Sequence, residues 1–184
     1  MSSRLRILDF DIENRPLAYL GPEYTTAEVT AIASCWIGEP DSMMVGLLGR
    51  DYLRDILRAF VKRYNAADMV TGHYIREHDL PIINGALLEV GLPALEPKMT
   101  SDTKIDLVAH KHLSASQENL AATFKIAKAK VHMSNADWRE ANRLTTKGIQ
   151  KTYKRVVGDV IQHMALRKVL IERNLLGAPK VWRP

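Results

Sequence analysis

The sequence predicts one α/β domain over residues 1–184, built on a central mixed five-stranded sheet flanked by helices. Three observations predict it. The elements follow in the order strand, strand, strand, helix, strand, helix, strand and then helices, the alternation from which layered α/β domains are made. The first strand carries one wholly apolar face, which marks it as central to a core. The chain has 184 residues, 46% hydrophobic and 26% charged, an ordinary globular composition long enough to bury one sizeable core. No internal repeat and no linker rich in Gly, Ser or Pro divides it.

Residues 4–13 alternate apolar with polar and read as the first strand. Val29 to Ile37, rich in Val, Ile, Ala and Trp, is the second, and Met43 to Leu48 the third. Gly38-Glu39-Pro40-Asp41 between them reads as a turn, so the pair is expected to be an antiparallel hairpin. Leu53, Ile56, Leu57, Phe60, Val61 and Tyr64 recur at helical spacing, with Asp51 as the expected N-cap. Asp68 to Thr71 is a short strand that ends at Gly72. Leu80 to Val90 reads as a helix that tolerates Pro81 in its first turn and stops at Gly91 and Pro93. Thr100 to Ile105 is the fifth strand. Ser114, three residues before Gln117, offers a capping-box start for a helix through Phe124. Ser134 or Asn135 is expected to cap a short helix carrying Trp138. A long helix then runs from Lys147 to Arg173, ended by Gly177 and Pro179.

Composition excludes disordered, collagen-like and low-complexity classes. No apolar run approaches the ~20 residues of a membrane helix, so no membrane partner is expected. Met1-Ser2-Ser3-Arg4-Leu5-Arg6 leads straight into a strand pattern, which is not how a signal peptide reads. The single cysteine, Cys35, lies in an apolar strand and is expected to be a buried thiol in a reducing cytoplasm. One Cys with scattered His does not suit a structural zinc site. The formal net charge of +5 is unevenly spread: residues 1–100 carry 10 basic and 14 acidic side chains, residues 101–184 carry 16 and 7. Such asymmetry fits either a polyanionic partner at the C-terminal half or a solvated basic helix face.

In the first strand Asp9, Asp11 and Glu13 share one face and Leu8, Phe10 and Ile12 the other, because side chains repeat every second residue. Carboxylates ~7 Å apart on one face repel each other, and they either stay hydrated or recruit a cation. All-oxygen ligands suit Mg²⁺ or Mn²⁺. A second feature, Gly72-His73-Tyr74-Ile75-Arg76-Glu77-His78-Asp79-Leu80-Pro81, follows a strand and opens a helix, where Asp79 could simply cap it. A third is Gly158-Asp159-Val160 in the long helix. Asp159 lies among apolar neighbours, so it needs a cation or a donor, and Arg155 one turn earlier is the simplest partner.

These three features, in this order, resemble the motifs of the DnaQ-like, or DEDD, 3′–5′ exonucleases, which have the ribonuclease H-like fold. Phe10-Asp11-Ile12-Glu13 is similar to the first motif, Gly72-His73 through Asp79-Leu80-Pro81 to the second, and Gly158-Asp159-Val160 to the third. Asp102-Thr103 matches an Asp-Thr often found between the last two. The resemblance spans residues 9 to 163. It implies two divalent ions, Mg²⁺ or Mn²⁺, with Asp11 bridging both, Glu13 and Asp159 completing the first and Asp79 supporting the second. It implies hydrolysis of single-stranded DNA or RNA from the 3′ end to nucleoside 5′-monophosphates, and a polymerase or replication protein as a partner. His73, Tyr74, Lys151, Lys154 and Arg155 are then nucleic-acid contacts. Lys125, Lys128, Lys130 and Lys147 are further candidates for the phosphates.

The chain departs from the pattern at the general base, which the family takes from a Tyr four residues or a His five residues before the last Asp. Those positions hold Arg155 and Lys154, and arginine stays protonated. Two candidate bases stand nearby. Tyr153 is six residues before Asp159 and needs a local distortion at Gly158 to swing in. His163, one turn after Asp159, is either a base or a partly buried helix histidine. Tyr74 and His78 replace the usual Asn and Phe of the second motif, changes expected to affect nucleotide contact or packing rather than metal binding. Trp36, Trp138 and Trp182 could each stack on a base, although Trp36 reads as core and Trp182 as a tail docked on the body. Two other functions share these residues: a ribonuclease H-like endonuclease or resolvase, and a non-catalytic nucleic-acid-binding domain with a degenerate site. The oligomeric state has no signature in the sequence.

Overall fold

The computed structural model describes residues 5–17, 27–108, 113–127 and 131–184. Its strands are β1 (Ile7–Pro16), β2 (Ala27–Trp36), β3 (Glu39–Leu47), β4 (Met69–Gly72), β5 (Lys98–Asp102) and β6 (Lys180–Trp182). Its helices are α1 (Leu53–Ala66), α2 (Asp79–Glu89), α3 (Gln117–Thr123), α4 (Asn135–Asn142) and α5 (Thr146–Glu172). The strands form one sheet in the order β3-β2-β1-β4-β5-β6. β1 pairs antiparallel with β2 and parallel with β4, and β4 pairs parallel with β5. The mixed α/β sheet flanked by helices is therefore as expected, with a sixth strand added.

That strand, β6, is the tail segment carrying Trp182, antiparallel to β5. Its indole is buried in the main core, so it is unavailable for stacking on a base. Trp36 is also core, with the Arg6 and Arg63 guanidiniums 4.3 Å and 5.2 Å from its ring. The hairpin turn is tighter than read: Trp36 pairs with Glu39, leaving Ile37 and a positive-φ Gly38 at the corner. Asp51 does not cap α1. Tyr52 holds that position, and the Asp51 carboxylate accepts from the Leu47 N–H at 2.9 Å. Ser116 rather than Ser114 caps α3. Ser134 caps α4 through a capping box with Asp137.

The two faces of the sheet are covered differently. Leu8, Phe10 and Ile12 join Ile56, Leu57 and Phe60 of α1 and Leu80, Ile83 and Leu87 of α2 in the main core, where Phe10 and Phe60 meet at 5.0 Å between ring centroids. On the opposite face Ala31, Ala33 and Cys35 of β2 pack on Val156 and Val160 of α5. The small alanines let a 27-residue helix lie close to the sheet, and this brings the α5 side chains onto the acidic face of β1. Cys35 is a buried free thiol. Among the described residues no helix is long and apolar enough to cross a membrane.

Candidate functional site

The alternation of β1 puts Asp9, Asp11 and Glu13 under α5 at three depths. Asp9 is fully buried, Asp11 half-buried and Glu13 nearly buried. Asp159 points back from the middle of α5. Asp11, Glu13 and Asp159 each offer a carboxylate oxygen within 4.8 Å of the others. Three oxygen donors this close fit a hard divalent cation such as Mg²⁺ or Mn²⁺. Asp79 enters the same cleft of about 500 Å³ from the start of α2. Its Oδ1 accepts the Ile12 N–H at 3.2 Å, and its Oδ2 lies 3.3 Å from His78 Nδ1. Burial pushes the Asp79 carboxyl up while the His78 hydrogen bond opposes it, and the same bond pushes the His78 imidazole up.

A cation of the chain itself already stands among these acids. Arg155 Nε is 2.5 Å from Glu13 Oε1 and 3.8 Å from Asp159 Oδ2. Its Nη1 donates to the Val131 carbonyl at 3.2 Å, and its guanidinium lies 5.0 Å from the Trp138 ring. The main partner of Arg155 is thus Glu13 across the cleft. Asp159, the partner its helical spacing suggests, is the more distant of the two.

The loop after β4 is shaped by Asp102. Its Oδ1 accepts the N–H groups of Tyr74, Lys104 and Ile105, and its Oδ2 accepts that of Arg76. This anchorage offsets the positive φ of 71° at Tyr74, a conformation that costs a non-glycine residue about 1 kcal/mol or more. Gly72 permits the approach of β4 to β1, since a Cβ there would sit 2.7 Å from the Phe10 carbonyl oxygen. The Lys104 ammonium caps the Tyr74 ring at 3.4 Å.

Of the residues named from sequence, Asp11, Glu13, His73, Tyr74, His78, Asp79, Trp138, Arg155 and Asp159 line one cleft. The remainder lie elsewhere. Tyr153 is 42% exposed on the outer side of α5, because the helix continues unbroken through Gly158. His163 is 2% exposed, held between Asp9 and Thr103. Lys154 is exposed, and Lys151 is paired with Asp137 at 2.5 Å. Lys128 and Lys130 lie outside the described residues. Sequence reasoning missed Lys104 and Gln117, which also line the cleft. Gln117 Nε2 donates to the Asp159 carbonyl at 3.1 Å. Neither residue has a local pattern that announces it, whereas Asp102 was visible in the Asp-Thr pair.

No protein-family model matches the chain, and neither does any curated protein. Among solved structures it is similar to the family B DNA polymerase from the hyperthermophilic archaeon Pyrobaculum calidifontis, with a TM-score of 0.68 and 18% sequence identity. The match covers 91% of this chain and 25% of the polymerase, so the chain spans about a quarter of that protein's length. The likeness is one of fold, and it agrees with the ribonuclease H-like architecture.

Proposed function

We propose that this chain is a divalent-metal-dependent 3′–5′ exonuclease that acts on single-stranded nucleic acid ends, DNA or RNA, and releases nucleoside 5′-monophosphates. The observation that carries the reading is the meeting of Asp11, Glu13 and Asp159 within 4.8 Å, with Asp79 in the same cleft. Asp11, Glu13 and Asp159 would hold one Mg²⁺ or Mn²⁺ ion, and Asp11 with Asp79 a second. When bound, such ions activate water and stabilise the leaving oxygen of an in-line phosphoryl displacement. Among the chain's own residues, Trp138 offers an aromatic face beside the cleft, while His73, Tyr74 and Lys104 form the wall on the β4 side. Lys151, Lys154 and Arg155 are proposed to hold the strand's phosphates. Tyr153 as the general base requires a movement of α5, and His163 requires release from its buried partners. The fold's likeness to a quarter of a DNA polymerase supports a polymerase or replication protein as a partner and a cytoplasmic setting.

One observation favours a second reading. Arg155 satisfies Glu13 without a metal ion, as it would in a degenerate site that binds nucleic acid and does not cut it. A time course with 5′-labelled single-stranded DNA and RNA, in Mg²⁺, Mn²⁺ or chelator, separates the two. Metal-dependent shortening from the 3′ end, abolished by Asp11→Ala, is the expected result. Intact strands that remain bound identify the non-catalytic domain. Cutting of circular strands identifies an endonuclease.

A further inference from the structure

One cation of the cleft sits on an aromatic ring instead of a carboxylate. The Lys104 ammonium stands 3.4 Å from the centroid of the Tyr74 ring. Both residues are half-buried and line the cleft. Of the cleft's acids, Glu13 meets Arg155 and Asp79 meets His78. Among the described residues Lys104 itself forms no ion pair.

The seat is fixed from the backbone. Asp102 Oδ1 accepts the Tyr74 N–H at 2.9 Å and the Lys104 N–H at 3.0 Å, so two residues distant in sequence hang from one oxygen atom. Asp102 is fully buried at the end of β5 and is braced in turn, its own N–H donating to Asp106 Oδ2 at 2.9 Å. Tyr74 takes a φ of 71° there, a conformation that glycine or asparagine adopts at less cost. What tyrosine adds at that position is its ring, and a ring face attracts an ammonium. Lysine is a compact charge with three donors and no acceptor, which suits an anionic oxygen. The acids of the cleft repel a strand's phosphates, and a cation held off those acids by a ring stays available to the strand.

We propose that Lys104 is a phosphate-binding residue of the cleft, and that Tyr74 and Asp102 are positioning residues that hold its ammonium against one phosphodiester of a bound single strand. The seat of Lys104 on Tyr74 stands on the geometry alone, and the phosphodiester rests on the nucleic-acid reading of the cleft.

The seat is tested without a ligand, in a ¹³C–¹H correlation spectrum of the lysine side chains of the full chain. The ε-methylene signal that disappears in Lys104→Ala should lie upfield, shifted by the ring current of Tyr74. It should return to the ordinary lysine position in Tyr74→Leu and stay upfield in Tyr74→Phe. An unshifted Lys104 signal in the wild type overturns the seat. The phosphate is tested by fluorescence anisotropy with 5′-labelled single-stranded DNA and RNA in chelator, over a range of salt. Lys104→Ala should weaken binding several-fold and lower the salt dependence by about 0.7, the increment for one neutralised phosphate of a single strand. One uncharged methylphosphonate, moved along the strand from its 3′ end, should weaken the wild type at one linkage above the others and weaken Lys104→Ala no further there. Tyr74→Leu keeps the charge, so it should keep the salt dependence and spread that effect over neighbouring linkages, with Tyr74→Phe restoring the single linkage. If Tyr74→Leu does not fold, the wild type and Lys104→Ala decide. The phosphate assignment is overturned by an unchanged salt dependence in Lys104→Ala, by an equal effect at every linkage of the wild type, or by a wild type that binds neither strand in chelator. None of these readouts is turnover. A strand that binds and is never cut removes the exonuclease reading and leaves this one, whereas cutting with no effect of Lys104→Ala on binding removes this one alone.

Discussion

The two faces of β1 solve different problems with adjacent residues. On one face Leu8, Phe10 and Ile12 bury hydrocarbon against α1 and α2. On the other, Asp9, Asp11 and Glu13 are brought under α5, and each carboxylate is accommodated differently. Asp9 is paired with His163, Glu13 with Arg155, and Asp11 faces the cleft. The first face is stability by area removed from water. The second is charge held together at a cost, which only its partners offset. A single strand therefore fixes both the core and the site, and substitutions one residue apart should have unlike consequences.

Asp11→Ala makes the sharpest contrast. It should lower nuclease activity on the order of 10⁴-fold, since metal assistance supplies several kcal/mol of transition-state stabilisation. The fold should remain as stable as the wild type, because one of three crowded acids is gone. Added Mn²⁺ should raise the Tm of the wild type and not of the variant, as ligand linkage requires. Phe10→Ala should do the reverse. It should cost about 3–5 kcal/mol in chemical denaturation and, in the fraction still folded, leave Mn²⁺ affinity unchanged. A large loss of affinity would mean that the two faces are not separable.

Arg155→Ala tests whether the acidic face depends on its internal cation. Metal-free stability should fall by about 1–2 kcal/mol, the scale of a charge-assisted hydrogen bond. Mn²⁺ should bind about tenfold more tightly once Glu13 is released, a gain of about 1.4 kcal/mol, measurable by electron paramagnetic resonance. The smallest effect is at the rim. The hydrogen bonds of Lys151 and Ser134 hold Asp137 well below the ordinary carboxylate range. A depressed folded pKa contributes stability above the unfolded value of ~3.9 and loses it as pH falls through the folded value. Asp137→Asn should therefore flatten the acid limb of a stability–pH curve.

The acidic face was legible because alternation is a property of residues 8–13 alone. The meeting of Asp11, Glu13 and Asp159 required the resemblance, since no local pattern says that α5 crosses β1. The pairing of Arg155 was half legible for the same reason. Helical spacing gives the longer contact to Asp159, and the cross-sheet approach adds the shorter one to Glu13. β6 escaped notice because Lys180-Val181-Trp182 has no alternation to speak of and is defined by the β5 backbone it joins. Asp51 looked like a cap from its position, yet its carboxylate turns back to the β3 end, a choice only the chain reversal at Gly49 explains.

The site also has an order of assembly. His163 and Asp9 are 154 residues apart in sequence, and Arg155 and Glu13 are 142 apart. During synthesis β1, β2 and β3 can pair soon after they emerge, as neighbouring strands do, but the acidic face waits for α5. Contacts of such long separation form late, after the entropy of closing the loop has been met. A nascent chain thus carries half of the acidic cluster and no cleft until α5 docks. On the proposed function, topology alone would withhold cleavage beside a ribosome and its message until the chain has closed on itself.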